Sequence, residues 1–106
     1  MPKYLFKVSY SSEGARGIAK EGGTNRRDTI DKLAQTTGGK LESFYFAFGE
    51  NDAFVTLDLA DNATAASVAL AVNSSGAAQL TTVVLMTPEE LDEATHKTVD
   101  YRPPGA

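Results

Sequence analysis

Residues 40–59, KLESFYFAFG followed by ENDAFVTLDL, decide the fold. They read as two strands folded on a tight turn at Gly49-Glu50-Asn51-Asp52. Strand side chains alternate between faces, so Phe44, Phe46 and Phe48 share one face of the first strand while Leu41, Ser43, Tyr45 and Ala47 share the other. An even loop centred between Glu50 and Asn51 sets Phe48 opposite Ala53, Phe46 opposite Val55 and Phe44 opposite Leu57, and the apolar faces coincide. A slip of one residue would split them, so burial specifies the register. The reverse face is mixed: Ser43, Tyr45 and Ala47 stand against Phe54, Thr56 and Asp58. Such a face is neither a plain core nor a plain solvent surface. It is the first place to look for a site, although a half-buried interface with Asp58 paired accounts for the same residues.

Outward from the hairpin, residues 3–10 alternate with Tyr4, Phe6, Val8 and Tyr10 on one side and Leu5, Lys7 and Ser9 on the other, as in a strand. Ser11-Ser12-Glu13 opens a short helix through Ala15, Ile18 and Ala19, and Gly22-Gly23 interrupts it. Thr24 restarts a helix whose Ile30, Leu33, Ala34 and Thr37 form one stripe, ended by Gly38-Gly39. Asp61-Asn62 caps ATAASVALAVNSS, which stops at Gly76. No charged side chain occurs from Asn62 to Pro88, so this helix and the following strand, Leu80 to Met86, are expected to be covered on more sides than a small monomer provides. Thr87-Pro88-Glu89-Glu90 is a capping box with proline at the first helical position, opening a helix to about Lys97. Val99 to Gly105, with Pro103-Pro104, cannot continue it.

At 106 residues and 42% hydrophobic, the chain has material for one core. With no cysteine, disulfide staples and thiolate metal sites are excluded. A net charge of −4, with Arg26-Arg27 the only adjacent basic pair, argues against a nucleic-acid partner, which needs a basic footprint. No apolar run reaches the length of a membrane span or a signal peptide, and a soluble cytoplasmic protein is expected.

The order of elements predicts an α+β fold, a ferredoxin-like β-α-β-β-α-β arrangement with a four-stranded antiparallel sheet and helices on one face. Residues 1–97 form the single domain and 98–106 an extended tail. The opposite face, apolar around Leu5, Leu41 and Phe54, is too apolar to stand bare in water, and pairing two such faces predicts a two-fold homodimer.

Across nearly its whole length the sequence resembles the GYD family, named for a Gly-Tyr-Asp signature. The segments that carry the resemblance are MPKYLFKVSY, Glu21-Gly22-Gly23 with Arg26-Arg27, GGKLESFYFAFGENDAFVTLDL, DNATAASVALAVNSSGA and VDYRPPG. Asn51 stands where the signature tyrosine is expected. The resemblance implies a dimeric α/β barrel, a group that includes cofactor-free monooxygenases, isomerases, haem-binding enzymes and small-molecule-sensing domains. It transfers no catalytic residue.

Three groups of residues carry candidate chemistry. On the mixed sheet face, Lys7 approaches Asp58 if their strands are neighbours, with Tyr45, Phe54 and Thr56 alongside; one cation, one carboxylate and one phenol there would orient a small polar aromatic or serve acid–base chemistry. A buried Lys7–Asp58 pair within an interface is the bland alternative. His96, the single histidine, has no second ligand to define a metal site and suits a helix C-terminus. Gly23, Thr24, Arg26 and Arg27 place two arginines at a helix start, where an anion would be favoured, unless Arg27 pairs with Asp31. The expectation is a cytoplasmic homodimer binding a small aromatic or carboxylate-bearing molecule between its sheets, with no cofactor, metal, nucleic acid or membrane. The alternatives are a cofactor-independent monooxygenase or isomerase using Tyr45, Asp58 and His96, and a structural interaction module.

Overall fold

The structure, a computed structural model, describes residues 1–106. Its elements are β1 (Lys3–Tyr10), α1 (Ser12–Glu21), α2 (Gly23–Thr36), β2 (Lys40–Phe46), β3 (Ala53–Asp58), α3 (Asn62–Ser74), β4 (Ala78–Leu85) and α4 (Pro88–Thr95). The strands form one antiparallel sheet in the order β2-β3-β1-β4. This α+β architecture is compatible with the ferredoxin-like plan, with the first crossover made of two helices rather than one.

Alternation decides what is buried. Tyr4, Phe6 and Val8 of β1 face inward beside Ala53, Val55 and Leu57 of β3, and Ala34 of α2 with Ala65 and Val68 of α3 closes over them. The Tyr4 hydroxyl, deep in this core, donates to Asn62 Oδ1 at 2.7 Å, so its burial leaves no polar atom unpaired. Ile30 and Leu33 join Ala34 in packing on the core, as their spacing requires, whereas Thr37 is the helix cap, its hydroxyl donating to the Ala34 carbonyl. Asp61 caps α3 by accepting from the Thr64 hydroxyl and backbone N–H, bonds that hold its carboxyl below the usual range. The Thr87–Glu90 capping box forms as expected.

The central hairpin departs from its expected register. Phe46 lies opposite Ala53 and Phe44 opposite Val55, two residues further from the turn than the even-loop pairing, and Phe48 sits in the loop fully exposed. The cause is Asp52. Its carboxylate accepts from the Tyr10 N–H, its own N–H donates to the Val8 carbonyl and its carbonyl accepts from the Ala47 N–H, each at 2.8 Å. Three bonds to two chain segments widen the turn. A bulge between Leu41 and Ser43 then moves Leu41 to the helix side, opposite Leu57, and not to the mixed face.

β4 is an edge strand and is not buried on both faces: Val84 is 61% and Val83 37% exposed. The arm formed by α4 and residues 96–106 buries no residue, and the molecule extends to 56 Å along its longest axis. Its radius of gyration, 16.8 Å, compares with about 13 Å for a compact domain of this length. No helix is long and apolar enough to cross a membrane.

Candidate functional site

Antiparallel register places the residues of the mixed face. Lys7 stands opposite Phe54, while Asp58 stands opposite Lys3. The expected Lys7–Asp58 pair is therefore replaced by Lys3, whose Nζ donates to Asp58 Oδ1 at 2.8 Å and lies 3.1 Å from Glu42 Oε1. These carboxylates, Asp58 first, raise the Lys3 pKa. Asp58 is almost fully buried and already partnered. Thr56 lies between Leu5 and Ser43, and Tyr45, 71% exposed, lies beside Phe54 at the sheet's β2 edge.

His96 is the C-cap of α4, its Nδ1 donating to the Asp92 carbonyl at 2.7 Å. A carbonyl oxygen can only accept, so this nitrogen carries a proton. Tyr45, Asp58 and His96 thus occupy a sheet edge, a partnered position at the end of β3 and the projecting arm, and do not meet within one chain. No group of three or more ligating side chains is placed to hold a metal ion.

The glycine-arginine motif divides in two. Arg27 faces out and pairs with Asp28 at 3.4 Å rather than with Asp31. Gly23 packs beneath the Phe46 ring so closely that any Cβ would collide with it, and Thr24 lines a shallow depression beside it. Arg26 turns inward, because successive helical residues point about 100° apart. Its Nε is buried and makes no hydrogen bond.

Arg26 marks a site that pattern reading did not assemble. It stands with Tyr10, Val72 and Ala78 where two cavities meet. The inner one, about 40 Å³, is walled by Phe6, Ile30, Leu33, Phe44 and other apolar side chains, with Arg26 its only charged residue. The outer one, about 380 Å³, opens beneath α1 and is rimmed by Glu13 and Glu21. Tyr10 also borders a third depression of about 450 Å³ beyond Ile18, reaching Phe48 and Asp52. Burial raises the Tyr10 pKa, the Arg26 guanidinium opposes that rise, and the Asp52 and Glu21 carboxylates add to it. The phenol is accordingly a neutral donor at ordinary pH.

α1 covers this cleft lightly. It buries no residue of its own. At its start, the Ser11 N–H and hydroxyl both donate to the Ala77 carbonyl, and Gly14 backs onto that carbonyl where a side chain would not fit. At its other end Gly22 has φ +87°, a left-handed conformation that favours glycine. Between them Gly17 borders the outer cavity, and a Cβ there would meet nothing within 4 Å. The signals legible beforehand were Arg26 beside two glycines and the glycine-bearing first helix; that they converge on Tyr10 depends on packing.

No curated protein and no solved structure matches the chain. The family model of the GYD domain matches residues 4–95, from the first core tyrosine to the last residue of α4. The chain belongs to the GYD domain family.

Proposed function

We propose that the protein is a homodimer that binds one small organic molecule per chain in the cleft between α1 and the sheet. The observation that carries the reading is Arg26: a guanidinium nitrogen withdrawn from water, without a partner, at the junction of an apolar cavity and a wider open one. Leaving a buried donor nitrogen unpaired costs stability. A ligand that supplies the acceptor would offset that cost when it binds. The outer cavity is within the usual size range of small-molecule pockets.

This moves the ligand from the space between two sheets to the helix side of one. The open face suits protein contact better than a polar chamber, because Lys3 neutralises Asp58 and what remains is dominated by Leu5, Phe54, Val83 and Leu85. Face-to-face packing about a two-fold axis would cover those residues and Tyr45.

The test is to denature the protein purified without added ligand, extract it with organic solvent, and compare the extract by mass spectrometry with that of Gly17→Leu prepared in parallel. A leucine at this open position adds bulk at the wall of the outer cavity without displacing the core. One small molecule released by the parent and missing from the variant is the expected result. Identical extracts from two equally folded proteins would contradict the helix-side site.

A further inference from the structure

Resting on that cleft as the binding site, we infer that its ligand is a monocarboxylate with a flat apolar body, its carboxylate on Arg26 and its body against α1. The guanidinium is a planar fork of N–H donors whose geometry matches the two oxygens of a carboxylate. Tyr10, at the same junction, has a neutral phenol that donates a further hydrogen bond to an anion. The body is specified by the walls. Gly17 leaves a bare stretch of helix backbone on one side, and Val72 and Ala78 form an aliphatic wall of the same cavity, so a flat ring can lie along the bare backbone with apolar contact on its other side.

The rim limits the charge. Glu13 and Glu21 are exposed on α1 and border the same cavity as Arg26. They repel a second negative charge on the outward end of the ligand, so a dianion such as a dicarboxylate or phosphate is disfavoured while a single carboxylate, drawn past them to Arg26, is accepted. Selection is thus made by an attractive group inside and repulsive ones at the mouth.

Phenylacetate, 2-phenylacetamide and 4-carboxyphenylacetate share the ring and differ in charge, the last carrying its second carboxylate at the outward end, and they are the probes. Each is titrated at millimolar concentration into the full chain and into Arg26→Gln, Arg26→Lys and Gly17→Leu, following heat of binding and the shift in melting temperature. Phenylacetate is expected to bind the parent and to raise its melting temperature. The amide and the dianion should bind weaker by about tenfold or more, as should phenylacetate to Arg26→Lys, which keeps the charge and loses the fork. Arg26→Gln should lose phenylacetate binding while its unliganded form melts no lower than the parent, since the buried Nε that it removes has no hydrogen-bond partner. Equal binding of acid and amide, or undiminished phenylacetate binding by Arg26→Gln, would overturn the carboxylate assignment; if Gly17→Leu still blocks both probes, the cleft itself stands. No binding of phenylacetate by the folded parent would overturn the inference, leaving the cleft to be judged by the extraction comparison with Gly17→Leu.

Discussion

Asp58 and Arg26 both have polar atoms drawn into the protein, and they differ in whether the fold supplies each of those atoms with a partner. Asp58 has Lys3 at 2.8 Å, and the pair is complete without a ligand. Arg26 Nε has none. The sequence showed that Asp58 would need a cation but not which one, because Lys3 and Lys7 lie on the same face of β1 and only the β1–β3 alignment separates them. Tyr10 gives this scale its prediction. Burial above all raises its pKa, and the bond to Asp58 above all raises that of Lys3. Both groups bind their protons more tightly folded than unfolded. The stability they contribute is complete below the unfolded pKa values and is lost as pH rises through the folded ones, so the urea midpoint should fall above about pH 10. Tyr10→Phe should make that fall shallower. An alkaline decline just as steep in the variant would show that the phenol is not held in its neutral form by the fold.

At the scale of elements, every strand and helix was visible in the sequence because alternation, the 3.6-residue stripe and capping chemistry are local. Pairing was less legible. The hairpin register depends on how Asp52 ties the loop to β1, and the bulge near Glu42 returns Leu41 to the core; neither leaves a mark in the alternation of a single strand. Likewise, the two-helix crossover was readable at Gly22-Gly23, but that α1 is held lightly over a cleft was not. The phenylalanines discriminate between the two registers. Phe6→Ala should cost about 3 to 5 kcal/mol in urea unfolding, as expected for a fully buried ring, and Phe48→Ala should stay within about 0.5 kcal/mol of the parent. A large loss at Phe48 would restore the tighter turn, with that ring on the sheet.

At the scale of the molecule, one chain covers little of its own apolar surface. Only 12 of 106 residues are buried, so the sheet's open face, Val84 and the arm bearing Leu91, Val99 and Tyr101 leave much apolar surface uncovered. Sequence composition pointed the same way, since the uncharged stretch from Asn62 to Pro88 is hard to reconcile with a lone particle, yet composition does not say which surface pairs. In the proposed arrangement a second copy covers one side of the sheet and a ligand lies on the other. Stoichiometry separates this arrangement from a ligand lodged on the two-fold axis between sheets, where a dimer would hold one molecule. The most direct measurement is native mass spectrometry of the protein in excess phenylacetate. A particle of twice the 11.3 kDa chain mass carrying up to two ligand molecules is expected. A bare 11.3 kDa particle, or a dimer that saturates with a single ligand, would contradict it.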